Sequence, residues 1–177
     1  MREAGQEGCV FHAPAPVRFR TTVPSPIGDL LLLSDGAALT GLYMATNRSA
    51  PQAGVPADEG AAPFKEAIRQ LQAYFRHELT AFNLPLAPSG TRFQLGVWQA
   101  LLAIPCGHTT SYGELADRLG SPRAVRAVGQ ANARNPLALI VPCHRVIGRS
   151  GHLVGYASGL EPKRWLLAHE AALGLKA

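Results

Sequence analysis

At 177 residues, 47% hydrophobic and only 16% charged, the chain has apolar surface for one domain or two small ones, which excludes a disordered polyelectrolyte. A net charge of +5 suits a polyanionic partner. Three cysteines at no regular spacing, Cys9, Cys106 and Cys143, exclude a disulfide framework and point to a reducing compartment. No C-x-x-C pair supports zinc, no apolar run is long enough to span a bilayer, and the N-terminus lacks the apolar core of a signal peptide. The expectation is a soluble, cytoplasmic protein without a bound metal.

Residues 1–16 mix Gly and Glu with alternating Ala-Pro and read as a flexible tail. Arg18 to Val23 alternates as a strand, and Pro24-Ser25-Pro26-Ile27-Gly28 turns the chain. Asp29 to Ser34 is a continuous apolar run, and Asp35-Gly36 signals a hairpin before Ala37 to Met44. Such short connections predict three adjacent antiparallel strands, followed by an exposed loop from Thr46 to Ala62. Pro63 then opens a helix over Phe64 to Leu79, with Phe64, Ile68, Leu71, Phe75 and Leu79 on one face that covers the sheet. Its aromatic residues read as core. Asn83 to Gly90, with two prolines, reads as a linker.

Thr91-x-x-Gln94 matches a capping box, with Phe93, Val97, Leu101 and Ile104 as the core face behind it. Pro105-Cys106-Gly107 stops that helix. Ser111 to Leu119 is a short helix ending at Gly120. Ser121 is a natural N-cap and Pro122 a natural first residue for the next helix, which runs to about Ala133. Helix, Gly-containing turn, helix is the helix-turn-helix pattern. Arg123, Arg126 and Arg134 on a light, Ala-rich helix suit close approach to a phosphate backbone.

The stretch Ile140-Val141-Pro142-Cys143-His144-Arg145-Val146-Ile147-Gly148 organises the rest. A strand-like run reaches a proline, which fixes its own φ and ends the run, leaving Cys143 on a turn. On its own that cysteine reads first as a buried structural thiol and only second as a nucleophile. Pro-Cys-His-Arg-Val-Ile-Gly is preceded by Asn135-Pro136 and followed by Gly155-Tyr156 and by Trp165-Leu166-Leu167-Ala168-His169-Glu170. In this order the motifs resemble the methylated-DNA–protein-cysteine methyltransferases, the O6-alkylguanine-DNA alkyltransferases. The resemblance runs from about Thr91 to about Glu170, with a looser likeness before it.

The resemblance implies an α/β N-terminal domain at 17–89, with a small antiparallel sheet and a covering helix in a ribonuclease-H-like arrangement. A mostly α-helical C-terminal domain at 90–175 carries the helix-turn-helix. It implies direct-reversal DNA repair: irreversible transfer of a methyl or larger alkyl group from O6 of guanine in duplex DNA to the Cys143 thiolate, once per molecule. Action on O4-alkylthymine stays open. No cofactor is implied, and the partner is double-stranded DNA carrying O6-alkylguanine, met by a monomer away from any membrane. His144 takes the thiol proton through water, with Glu170 behind it; taken without the resemblance, they read as a turn histidine and a solvated helix residue. Asn135 holds the turn around the cysteine, and Tyr112 approaches the extruded base and protonates its ring nitrogen. Arg126 fills the space that the base leaves, from the minor groove, while Ser121 and Arg149 contact phosphates. Val146, Tyr156, Ala157 and Ser158 form the substrate pocket, where Ser158-Gly159 replaces a pair of glycines common in the family.

Two rival classes follow from the same residues. A lesion-binding, base-flipping alkyltransferase-like protein would bind without transfer, but such proteins lack the cysteine that Cys143 supplies. A thiol hydrolase built on Cys143 and His144 would need an oxyanion motif, and none is apparent.

Overall fold

The computed structural model describes residues 8–47, 50, 57 and 63–174. Its N-terminal half holds a five-stranded sheet of Val10–Phe11 (β1), Phe19–Val23 (β2), Leu30–Ser34 (β3), Leu39–Met44 (β4) and Pro85–Leu86 (β5), in the order β1-β5-β4-β3-β2. The expected meander is there: β2, β3 and β4 pair antiparallel. Asp35 closes the β3–β4 turn by accepting the amides of Ala37 and Ala38 on Oδ1, both at 2.8 Å, while Gly36 takes a φ of +104°. The apolar run of β3 buries both faces, with Leu30, Leu32 and Leu33 all at or below 1% exposed.

Two segments differ from the sequence reading. Val10–Phe11, within the expected tail, forms a parallel edge strand on β5, and Pro85–Leu86, within the expected linker, lies between it and β4. Neither carries an alternating apolar pattern of useful length; both are held by partners far away in the chain, which no local signal reports. Most of the loop expected from Thr46 to Ala62 lies outside the described residues.

Helix Phe64–Phe75 (α1) shares one core with the sheet through Phe64, Ala67, Leu71 and Tyr74. It ends a turn before Leu79. Arg76 is the C-cap, His77 takes the left-handed region at φ +61°, and the amides of His77 and Glu78 return to the carbonyls of Tyr74 and Ala73. That is a Schellman closure with histidine where glycine is usual, so the stop carried no recognisable residue.

The second half is helical. Arg92–Leu102 (α2) begins with the expected capping box, both limbs of which form: Thr91 Oγ1 accepts from Gln94 N at 3.2 Å and Gln94 Oε1 accepts from Thr91 N at 2.9 Å. Its buried face is Val97, Trp98 and Leu101, continued by Ile104, whereas Phe93 is 40% exposed. Trp98, anchored by Nε1 donating to the Ala131 carbonyl at 2.9 Å, swings the face away from the first turn. Thr110–Ser111 (β6) pairs parallel with Val146–Ile147 (β7). Between these strands run Tyr112–Arg118 (α3), a 3-10 turn at Pro122–Ala124, and Val125–Ala133 (α4); Leu160–Gly174 (α5) closes the chain. Ser111 caps α3 in a second capping box with Glu114. Ser121 does not cap through its side chain, because Pro122 opens a 3-10 turn and the α-helix starts only at Val125.

Candidate active site

The segment before Cys143 is not a strand. Leu137 bridges to Leu42 of β4, Leu139 turns the chain at φ +74°, and Cys143–Arg145 forms a 3-10 turn. The apolar run is buried on all sides as a knot of turns. Burial without periodicity accounts for the misreading. Asn135, just past α4, fastens this knot: its Nδ2 donates to the Val141 carbonyl at 2.8 Å and its Oδ1 accepts from Leu137 N at 3.0 Å. The same Val141 carbonyl accepts Cys143 N at 2.8 Å, so Asn135 sets the backbone on which the thiol sits.

Cys143 is 5% exposed, and burial pushes its thiol up; the Asn135 amide, the Lys163 ammonium and the Tyr156 hydroxyl pull the other way. The resting group is a thiol. His144 is fully buried, and the loss of solvent keeps its imidazole neutral below the usual range, against the pull of Glu170. Its Nε2 lies 2.9 Å from Glu170 Oε1. Burial opposes the Glu170 charge, but hydrogen bonds from His144 and Arg145 outweigh it and hold the carboxyl well below its ordinary range. An ionised carboxylate only accepts, so Nε2 carries the proton and Nδ1 presents a lone pair. Buried Nδ1 has no hydrogen-bond partner among the described residues.

Glu170 therefore is no solvated helix residue; it is 1% exposed. Arg145 grips it with Nε on Oε2 and Nη2 on Oε1, both at 2.8 Å, and donates Nη1 to the Ile104 carbonyl at 2.6 Å. Tyr74 Oη donates to Oε1 at 2.8 Å, and Gly107 N reaches Oε2 at 3.3 Å. Lys163 is fully buried, with Nζ donating to the carbonyls of Val146 at 2.7 Å and Val154 at 3.0 Å. Asn132 on α4 donates Nδ2 to the Cys143 carbonyl at 3.3 Å. Sequence reasoning gave no role to Arg145, Lys163, Asn132 or Tyr74. Each looked like an ordinary helix or motif residue, and only burial of its polar end marks it out.

The cleft at Cys143 encloses about 10 Å³ and is lined by Asn132, Asn135, Tyr156, Ala157 and Ser158 among others. Ser158 is buried, and its carbonyl accepts from Thr46 Oγ1 at 2.9 Å. Val146 does not line this cleft: its side chain is in the core and its carbonyl holds Lys163. Tyr112, half-buried at the start of α3, reaches the Val154 carbonyl at 3.5 Å. A larger cavity of about 660 Å³ holds Cys9 and Cys106 instead of Cys143. Burial raises both thiols, Cys106 to about 11 with help from the Glu170 charge.

Two family models cover most of this chain. Residues 19–88 match the ribonuclease-like domain of 6-O-methylguanine DNA methyltransferase, and residues 92–172 match its DNA-binding domain. The chain belongs to this family. It is 53% identical over 150 residues to the methylated-DNA–protein-cysteine methyltransferase of Mycobacterium leprae, covering 84% of this chain and 90% of that protein. The enzyme of the same name from Methanosarcina acetivorans is 51% identical, over 84% of this chain and 95% of that one. The crystal structure of Mycobacterium tuberculosis OGT in complex with DNA superposes with a TM-score of 0.82 at 50% identity, over 88% of this chain and 94% of that one. Within the family's DNA-binding domain, Arg126 on α4 and Arg149 in the loop after β7 are exposed, while Ser121 at the turn between the helices is half-exposed. Among the described residues no helix is long and apolar enough to cross a membrane.

Proposed function

We propose that Cys143 is the alkyl acceptor, with His144 as its base and Glu170 as the group that orients the base. As a member of the 6-O-methylguanine DNA methyltransferase family, the protein reverses alkylation damage directly by moving the alkyl group from DNA to a cysteine. The observation that carries the assignment is the buried His144–Glu170 pair next to Cys143 in sequence, in which a neutral imidazole keeps a bare Nδ1 on the side away from its carboxylate partner. A thiol pushed up by burial is a poor nucleophile, so it must lose its proton as it attacks. A water between the thiol and Nδ1 passes that proton to His144, and Glu170 stabilises the imidazolium. The thiolate displaces guanine O6 from the alkyl carbon; the carbon–sulfur bond forms, the carbon–oxygen bond breaks, and the departing base takes a proton from Tyr112.

The substrate is O6-alkylguanine in duplex DNA, met by a monomer in the reducing cytoplasm, and the base must leave the stack to be reached. Arg126 fills the gap that it leaves, and Ser121 and Arg149 hold phosphates. The space at Cys143 is about that of a single water, too tight for a purine. The Tyr156–Ser158 wall draws back on binding, and Val146 supports that wall from behind through Lys163.

Cys143→Ser is the test, because the hydroxyl is nearly isosteric but far less nucleophilic. Transfer from labelled O6-methylguanine duplex is lost while affinity for the alkylated duplex stays within about twofold, a change under 0.5 kcal/mol. Label found on Cys106, or transfer at the wild-type rate, would overturn the assignment.

A further inference from the structure

Glu170 has a partner that comes from the other half of the molecule. Tyr74 lies on α1, in the ribonuclease-like unit, yet its hydroxyl donates at 2.8 Å to Glu170 Oε1, the same oxygen that His144 Nε2 approaches at 2.9 Å. Both residues are essentially unexposed. Helix α5 grips Tyr74 at both ends with consecutive residues. Glu170 takes the hydroxyl, and His169 Nε2 donates to the Tyr74 carbonyl at 2.9 Å. The ring is wedged against Phe75, Phe82 and His169, with centroids 5.0–5.4 Å away. Burial and the adjacent carboxylate push the phenol far up, so it stays a donor at any working pH.

We infer that Tyr74 is a positioning residue through which the N-terminal unit sets the His144–Glu170 pair. The inference rests on the reading of that pair as base and orienter. Glu170 receives five donors, Oε1 from Tyr74, His144 and Arg145, and Oε2 from Arg145 and Gly107. A carboxylate has about four lone-pair sites, so this one is saturated and its oxygens are fixed. Of these donors only Tyr74 is contributed from outside the DNA-binding unit. Its hydroxyl does two things at Oε1. It keeps the oxygen where the imidazole N–H meets it, which aims Nδ1. It also draws charge from Oε1, which limits how strongly the carboxylate stabilises the imidazolium. The other groups around His144 are Arg145, Lys163, Cys143 and, through Glu170, Cys106 and Tyr156; Tyr74→Phe leaves all of them in place.

The experiment is Tyr74→Phe in the full chain, read three ways. Single-turnover transfer slows about tenfold, part of the hundredfold or more that a positioned general base contributes, while affinity for alkylated duplex is unchanged. In the Cys143→Ser background, where the thiol no longer couples to the ring, NMR titration of His144 moves to higher pH when Tyr74 becomes Phe, since Oε1 then has one donor fewer. In the unmutated protein the Tyr74 hydroxyl proton gives a slowly exchanging resonance with a cross-peak to the His144 Nε2 proton; this reading does not depend on the variant folding. Unchanged transfer, slower transfer with an unmoved His144 titration, or an absent cross-peak each overturns the inference. His144→Ala and Glu170→Gln separate it from the reading beneath it. If they transfer at the wild-type rate, the base assignment itself falls; if they are slow and Tyr74→Phe is not, only the role of Tyr74 falls.

Discussion

Lys163 illustrates how chemistry at the residue scale is decided by burial. A buried ammonium costs several kcal/mol unless it is well paired, and here the carbonyls of Val146 and Val154 compensate it. Burial nevertheless pulls the amine down, and its remaining charge favours the thiolate. Lys163→Met therefore raises the pH at which Cys143 reacts with a small electrophile such as iodoacetamide. An unshifted pH–rate curve would show that the charge does not reach the sulfur. That His144 and Glu170 would meet was expected only from the family resemblance of two separate motifs; residue by residue they read as a turn histidine and a solvated helix residue. Asn132, Tyr74 and Lys163 were not legible, since a helix residue's polar end reveals its partner only once the fold has brought distant segments within about 3 Å.

At the scale of elements, local chemistry was read well where it is self-contained. The two ends of the Thr91–Gln94 box and the Asp35-Gly36 turn form from neighbours and appear as expected. The turn between α3 and α4 was read less well. Proline after Ser121 suits the first turn of either kind of helix, and a 3-10 turn was formed. This brings Arg126 to the first turn of α4, on an exposed face. Arg126→Ala should slow transfer on duplex DNA far more than transfer from the free alkylated base, because only the duplex needs the gap filled. Equal slowing on both would make Arg126 a stability residue. Binding to duplex should also weaken steeply with salt, as phosphate contacts release counterions; a flat salt dependence would contradict the basic face of α4.

Across the whole molecule, Glu170 ties the two halves together, and its loss should be felt in stability as well as in activity. Removing one member of a buried ion pair leaves the other uncompensated, at a cost of about 3–5 kcal/mol; Glu170→Gln strands Arg145 in this way. Folding lowers the Glu170 pKa, so its contribution is complete above the ordinary value of 4.5 and is lost as pH falls towards its folded value. His144 is kept neutral below its ordinary 6.5, so unfolding takes up a proton there and stability drops as pH falls below 6.5. Urea midpoints should therefore decline from about pH 6.5 downward, and Glu170→Gln should start lower and lose less below pH 4.5. A wild-type midpoint flat from neutrality to pH 4.5 would contradict the His144 shift, and one that falls no further below pH 4.5 would contradict the Glu170 shift. The division into a sheet unit and a helical unit was legible from strand and helix periods. The edge strands β1 and β5 were not, for their pairing is set wholly by the tertiary structure.

On the proposed function, one thiol accepts one alkyl group and keeps it. Alkylated Cys143 is a thioether, with sulfur on an sp3 carbon and no carbonyl for water to attack. Neither other thiol offers a way out, since burial holds both Cys9 and Cys106 protonated. The direct measurement counts methyl groups transferred per chain from O6-methylguanine duplex in large excess, with the modified residue mapped by peptide mass spectrometry. The expected result is a plateau at about one methyl per chain, all of it on Cys143. Linear turnover beyond that plateau, or label on any other residue, would contradict it.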